Sequence, residues 1–299
     1  VSRTIDRIRG RLPGPTLIIV GGMHGNEPAG VEAARAVFAR LRADGVEVCG
    51  EVVGLEGNVR GLAVNRRFLA TDLNRLWTSE KLDAARCAAS IEGEYAELVE
   101  LASELDRIIA TTRGQVVVLD LHTTSAAGIP FGVAGPTPAH RAFAHGFPIP
   151  SILGLEELLE GVLTRYLSDR GILTLAVEGG QSGSADAVAN LDAVITIALA
   201  VTGVVAPEQI AGLAEARERL EALRGALPQT IEVVIRHEIK PDHAFKMEPG
   251  FANIHATAGG ALLAHDRNGE IRAPFDGLVL LPLYQSDGSD GFFYGRAVA

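Results

Sequence analysis

Thr16-Leu17-Ile18-Ile19-Val20 is apolar and mostly β-branched, and it stops at Gly21-Gly22. A strand with one wet face alternates polar and apolar side chains. One that is apolar at consecutive positions must be covered on both faces, as in a parallel sheet packed between layers of helices. Gln115–Leu121 and Ile172–Val177 repeat the pattern, and Val46–Leu55 reads as a further strand. Helical stretches fall between them. Glu32–Arg42 is Ala-rich with apolar residues at helical spacing, Leu82–Ala110 is long and amphipathic with a break near Gly93, and Asp186–Val205 is again Ala-rich. Strands alternating with helices predict an α/β sheet with helices on both faces.

The texture changes after Pro207. Glu208–Leu223 is a charged amphipathic helix, and beyond Pro228 the chain turns β-like, with Ile231–Ile239, Ala261–Ala264 and Gly277–Leu281 as short strands. A length of 299 residues suits one large and one small domain. The expected division is an α/β domain over 1–206, a helical connector over 207–227 and a small all-β domain over 228–299.

Acidic side chains number 37 against 27 basic ones, and the net charge of 27 − 37 = −10 argues against a nucleic-acid partner. The apolar stretch around Ala193–Val205 is too short and too rich in small residues to span a bilayer, so no membrane partner is expected. Val1-Ser2-Arg3-Thr4-Ile5-Asp6-Arg7 carries charge where a signal peptide needs an apolar run, which makes the cytoplasm the expected location. Cys49 and Cys87 match no metal or redox spacing and read as two free, buried thiols.

Chemistry concentrates at the strand ends. His24 and Glu27 stand three residues apart in Gly22-Met23-His24-Gly25-Asn26-Glu27, directly after the first strand. Open α/β sheets bind ligands at that edge, and the glycines let the backbone bend tightly there. Val117-Val118-Leu119-Asp120-Leu121-His122 is a second strand ending in histidine. His122 can complete a His-Glu-His set with one position left open for water, the arrangement of catalytic zinc. Asp120, two residues earlier, leaves the same face of the strand and can orient a ligand or hold local structure.

Arg66-Arg67 and Asp72-Leu73-Asn74-Arg75 put three arginines close together in an acidic chain, which suggests an anionic ligand; a solvated loop with surface ion pairs is the plainer alternative. Arg66 reads as the surface member of its pair. Glu178 closes the strand Leu175-Ala176-Val177 before a Gly-rich turn, where it could take a proton from water and pass it to a leaving nitrogen. Taken alone, a strand-end glutamate is more often structural.

In order and spacing these motifs resemble the succinylglutamate desuccinylase/aspartoacylase family, a branch related to the zinc carboxypeptidases, and the likeness runs from about Thr16 to the C-terminus. The resemblance implies a three-layer carboxypeptidase-like α/β domain with a mainly parallel or mixed sheet, followed by a small β domain. It implies one Zn²⁺ held by His24, Glu27 and His122, with Glu178 as general base and then acid. By the same likeness Arg67 polarises the scissile carbonyl, while Asn74 and Arg75 grip the carboxylate of a small anionic N-acyl amino acid. A homodimer is the family's expectation for assembly. The implied activity is a zinc-dependent amidohydrolase that removes the acyl group from an amino acid or similar small carboxylate.

The chain departs from aspartoacylases in carrying the short Gly179-Gly180-Gln181-Ser182-Gly183 where they have a proline-rich segment. Arg170 only approximates the arginine that reads a side-chain carboxylate, and Phe292-Phe293-Tyr294 only approximates their C-terminal site tyrosine. Two other functions compete: a zinc carboxypeptidase acting on short peptides, and a non-catalytic binding or scaffold protein. No G-x-S-x-G and no Gly-rich loop ending in Lys-Ser/Thr is present, so serine-hydrolase and P-loop chemistry are excluded. His140, His145, His237, His243, His255 and His265 show no ligand spacing.

Overall fold

The structure, a computed structural model, describes residues 2–285 and 289–298. Its strands are β1 (Thr4–Arg9), β2 (Leu12–Gly21), β3 (Cys49–Glu56), β4 (Val116–Thr124), β5 (Phe131–Ala134), β6 (Ser151–Leu153), β7 (Leu173–Gln181) and β8 (Thr230–Glu238), then β9 (Lys246–Met247), β10 (His255–Thr257), β11 (Leu262–Asp266), β12 (Gly269–Arg272), β13 (Gly277–Leu280) and β14 (Asp290–Ala297). The helices are α1 (Ala29–Ala43), α2 (Val59–Ala63), α3 (Ser79–Cys87), α4 (Gly93–Thr111), α5 (Pro138–Ala144), α6 (Leu155–Leu158), α7 (Leu163–Ser168), α8 (Ala185–Val201) and α9 (Leu213–Arg224).

The apolar runs are buried on both faces, as their composition requires. On β2, Leu17 and Ile19 pack with Val37, Phe38 and Leu41 of α1 and with Val194 and Ala198 of α8. Their neighbours Ile18 and Val20 turn the other way, against Leu98, Leu101, Leu105 and Ile108 of α4 and Leu163 of α7. Each such side chain contributes roughly 1.5–3 kcal/mol by leaving water, so a polar residue in the run would disturb one of two cores.

Sheet order is β1-β3-β2-β4-β7-β5-β6-β8-β14-β13-β10, with β9, β11 and β12 in a separate three-stranded sheet. β2 pairs in parallel with both β3 and β4, and β4 in parallel with β7. The chain therefore leaves β2 for β3 on one side and later takes up β4 on the other. That reversal opens a crevice at the carboxyl ends of β2 and β4, where open α/β sheets hold their ligands. β5 then runs antiparallel to β7, making the sheet mixed.

Elements not expected from the sequence include the edge strand β1, the short strands β5 and β6, the short helices α2, α5, α6 and α7, and the late strands β9, β10, β12 and β14. β5 and β6 are three or four residues long, too short for periodicity to register. The main sheet also continues past residue 228, since β8 pairs in parallel with β6 and antiparallel with β14. The connector is a 3₁₀ turn over Pro207–Gln209 followed by α9, whose start is set by left-handed Gly212. Both cysteines are free, but neither is buried: Cys49 is half-buried and Cys87 exposed. Among the described residues no helix is long and apolar enough to cross a membrane.

Candidate metal centre and active site

The loop after β2 turns on Gly22, whose φ of +71° suits glycine. Glu27 N–H then donates to the His24 carbonyl (3.1 Å), closing the turn that carries both side chains. Gly25 must be glycine for a different reason. A Cβ there would sit 2.0 Å from the carbonyl carbon of Gly61 and 2.4 Å from the Arg66 carbonyl oxygen. The loop is thus pressed against the segment that carries Arg67, and Gly25 N–H donates to the Arg67 carbonyl (3.1 Å).

His24, Glu27 and His122 are all buried, and their ligand-type atoms lie within 4.8 Å of one another. Both imidazoles present Nδ1 to the same carboxylate, His24 at 2.9 Å from Oε1 and His122 at 3.3 Å from Oε2. Thr123 N–H also donates to Glu27 Oε2 (3.0 Å), fixing that oxygen. The outer nitrogens face acids too. His122 Nε2 lies 3.0 Å from Asp120 Oδ2 and His24 Nε2 lies 3.1 Å from Asp72 Oδ1. Asp120 therefore orients His122 from the same strand face, one of the two roles its spacing allowed.

Burial disfavours charge on these rings, yet the surrounding carboxylates outweigh it and raise both histidines above their usual range, His122 strongly. A pocket that draws protons onto two buried imidazoles equally favours a cation between them. Two neutral-capable nitrogens, one carboxylate and carboxylate-backed imidazoles are the donor chemistry of a zinc site, and the residues fit such an ion.

Glu178 stands beside His122 across the β4–β7 ladder, within β7 and not at its end. Its Oε2 is buried without a hydrogen-bond partner. Burial chiefly, with Glu27 adding to it, pushes this carboxyl up to about 7, against the pull of the histidines and Arg67. Arg67 bridges the first and third motifs: its Nη2 is 3.0 Å from Asp72 Oδ2 and its Nη1 is 3.3 Å from Glu27 Oε1.

Asp72 caps the 3₁₀ turn Leu73–Arg75 by accepting from Asn74 N–H (2.9 Å), a role its motif alone does not reveal. Asn74 Oδ1 accepts from Leu163 N–H (3.0 Å), which ties that turn to α7. Arg75 Nη1 donates to the Asn74 carbonyl (2.8 Å), while its Nη2 stands 4.0 Å from Asp290 of β14.

These side chains line a cavity of about 390 Å³, joined by Glu156, Thr164, Val133, Leu283, Asp290 and Phe293. The C-terminal β segment supplies part of its wall, and Asn253 clips that segment down by donating to Thr124 Oγ1 (2.8 Å) and accepting from Leu281 N–H (2.9 Å). All seven expected site residues meet at this cavity: His24, Glu27, Arg67, Asn74, Arg75, His122 and Glu178.

Arg170 is not among its lining residues. It stacks over the Tyr166 ring at 4.9 Å and faces Asp106 (3.3 Å) on the outside of the molecule. Tyr294 is wholly buried, its hydroxyl 2.7 Å from Thr257 Oγ1 and donating to the Phe275 carbonyl; its neighbour Phe293 lines the cavity instead. Arg66 is exposed. His140 is engaged by Thr137 and Ser168, and His237 stacks on Phe292, so neither contributes.

Two glutamates carry roles that sequence reasoning missed. Buried Glu94 accepts from the backbone N–H groups of Leu69 (2.6 Å), Ala70 (3.0 Å) and Thr71 (3.2 Å), pinning the loop between Arg67 and Asp72. Glu156 is buried at the cavity wall. Neither acid stands out from its helix by spacing.

Fold and site together define an α/β protein with a metal-ligand donor set at a switch point of its sheet, faced by an unpartnered carboxylate and two arginines. The succinylglutamate desuccinylase/aspartoacylase catalytic domain matches residues 13–223, and the chain belongs to that family. A succinylglutamate desuccinylase of Photorhabdus laumondii is 30% identical over 95 residues, which are 32% of this chain and only 28% of that protein.

Solved structures extend the likeness of fold across the whole chain. The succinylglutamate desuccinylase of Vibrio cholerae superposes with a TM-score of 0.67 at 16% identity, covering 98% of this chain and 90% of that one. The product-bound ectoine utilization protein of Ruegeria pomeroyi gives 0.69 at 19% identity over 97% and 88%. A succinylglutamate desuccinylase/aspartoacylase of Rhodobacter sphaeroides also gives 0.69 at 19% identity, over 98% and 88%.

Proposed function

We propose that the protein is a zinc-dependent amidohydrolase that removes an N-acyl group from an amino acid or related small carboxylate. The observation that carries this reading is the convergence of His24, Glu27 and His122 within 4.8 Å, with the unpartnered Glu178 carboxylate on the neighbouring strand. His24, Glu27 and His122 would hold one Zn²⁺. Such an ion supplies Lewis-acid polarisation and makes water a stronger acid near neutral pH.

The chain's own groups divide the remaining work. Glu178, with a free oxygen and a raised affinity for protons, accepts the proton of the attacking water and returns it to the departing amine. Arg67 offers its guanidinium to the carbonyl oxygen as negative charge develops there, a contribution that typically reaches about 3 kcal/mol per donor. Asn74 and Arg75 fix the substrate carboxylate and so set the position of the amide. Leu281, Leu283 and Phe293 of the β segment line one wall of the cavity, whose volume of about 390 Å³ suits a small substrate.

The test is amine release from N-acyl amino acids, paired with metal analysis of Glu178→Gln. Zinc content should stay at one per chain while turnover falls by about a hundredfold or more, the usual share of general acid–base catalysis. Full turnover in this variant would remove Glu178 as the base. Efficient cleavage of longer peptides would favour carboxypeptidase action instead.

A further inference from the structure

The strand that carries Glu178 loses its register immediately after it. Between the pairs His122–Glu178 and Thr124–Gln181, β7 holds one residue more than β4, so a bulge falls on Gly179-Gly180. Pairing with β5 on the other side also ends at Glu178. A bulge bends its strand and turns nearby side chains out of the direction an unbroken ladder would give them. The glycines suit it: φ at Gly180 is +121°, and a Cβ on Gly179 would lie 2.5 Å from Cγ of buried Leu191. A carbonyl that a bulge removes from the ladder needs another donor when it is buried. Asn190 supplies one. It is 3% exposed, sits inside the Ala-rich helix α8, and donates from Nδ2 to the Gly179 carbonyl (2.8 Å). Asparagine is a poor helix former at such a position, so its amide has a task there. Its other end is held too. Oδ1 accepts from Arg219 Nε of α9 (2.8 Å), and Arg219 Nη2 reaches Asp186 (2.9 Å). With Oδ1 engaged by a guanidinium, the amide is fixed with its NH₂ toward Gly179.

We propose that Asn190 is a positioning residue for the reaction: it holds the Gly179 carbonyl, which fixes the bulge, and the bulge fixes the direction in which Glu178 enters the cavity. The inference rests on the deacylase reading for the task of Glu178; Asn190 itself does not line the cavity. Without the donor, the peptide after Gly179 turns to find another partner, and that rotation is carried to the Glu178 backbone one residue away. A displacement of about 1 Å at a reacting group can cost on the order of a hundredfold in rate. Arg219 acts one step further out, by keeping the amide from turning over.

The experiment measures kcat, KM and zinc content for hydrolysis of N-acetyl amino acids by wild type and Asn190→Leu, and compares crystal structures of the two zinc-loaded proteins. The variant should keep its zinc and its KM while kcat falls by about tenfold or more, and its Glu178 carboxylate should stand about 1 Å from the wild-type position. Ile197→Ala removes packing about two turns further along the same buried helix; it should lower the melting temperature and keep kcat. If Asn190→Leu does not fold, Arg219→Met at the partly exposed end of the relay frees the amide to turn and should give the same displacement at reduced size. A Glu178 that stays in place, or a kcat that does not fall, would overturn the inference. An equal fall of kcat in Ile197→Ala would overturn it as well, by reducing Asn190 to a packing residue. Should the wild type release no amine, the deacylase reading fails, and the crystal comparison alone decides whether Asn190 positions Glu178.

Discussion

Glu94 offers the sharpest test of how this site is held, because its substitution touches no reacting group. Its carboxylate accepts four hydrogen bonds, from the backbone of Leu69, Ala70 and Thr71 and from Asn58 Nδ2 (3.2 Å). Glu94→Gln keeps one carbonyl oxygen and turns an amide NH₂ toward donors, so about half of these bonds fail. At about 1.5 kcal/mol for each bond to a charged acceptor, losing two costs about 3 kcal/mol. That is a large part of a typical domain's stability of roughly 5–15 kcal/mol.

The loss must also depend on pH. Burial alone would raise this carboxyl, but the backbone and Asn58 donors outweigh it and hold it below the usual range. A depressed folded value means the stabilisation is present above the unfolded value and disappears as pH falls through the folded one. The gap between wild type and variant should therefore be full at pH 7 and shrink below about pH 4.3. Urea unfolding followed at pH 7 and at successively lower pH measures both. A gap under about 1 kcal/mol at pH 7, or one that ignores pH, would refute the reasoning. The freed loop carries Arg67 and Asp72, so deacylase turnover should fall in the folded variant as well.

Asp120→Asn weakens the acceptor behind His122, so zinc affinity should drop by about 10- to 100-fold in competition with a chelator; unchanged affinity would reduce Asp120 to a structural role. Arg75→Ala should chiefly raise KM for carboxylate substrates while kcat changes little, since the grip is the same in ground and transition states. Equal loss in kcat would mean that Arg75 acts in the transition state. Gly25→Ala drives a Cβ into the backbone of Gly61 and Arg66 and should cost about 3 kcal/mol or more, read by thermal melting. Near-wild-type stability would show that the two loops can part.

The parallel core was legible because burial on both faces forces unbroken apolar runs, and β2, β4 and β7 satisfy that at nearly every core position. The convergence of His24, Glu27 and His122 was legible for a related reason. Polar residues that interrupt or end such runs, as His24, His122 and Glu178 do, have no place there unless something charged meets them. Glu156 and Glu94 were not legible. Leu155-Glu156-Glu157-Leu158 reads like the solvated acid pair of any short helix, and Glu94 like a favourable acid in a first helical turn. Their burial comes from elements distant in sequence: the cavity wall around Val133 and Thr164 in one case, the 69–71 loop in the other. Arg170, read from the sequence as only an approximate match to a carboxylate-reading arginine, faces Asp106 outside the cavity.

Under the proposed mechanism, Glu27 and Glu178 would take two opposite tasks within one pocket, and their surroundings differ accordingly. Burial pushes both carboxyls up. For Glu27 that push is overcome by His24 and His122, which flank both of its oxygens, and its affinity for protons falls far below the usual range. Glu178 lies on the next strand with its Oε2 unpartnered, and Glu27's charge adds to the cost of ionising it, so it rises to about 7. A carboxylate that never takes a proton suits a ligand; one near the operating pH suits proton transfer. Exchange of the two roles is barred by the backbone, because Glu27 is tied by Thr123 N–H to the end of β4 while Glu178 faces His122 across the ladder. Glu178→Asp should follow from this: the carboxyl withdraws by one methylene from the reacting atoms, and turnover should fall while zinc stays bound.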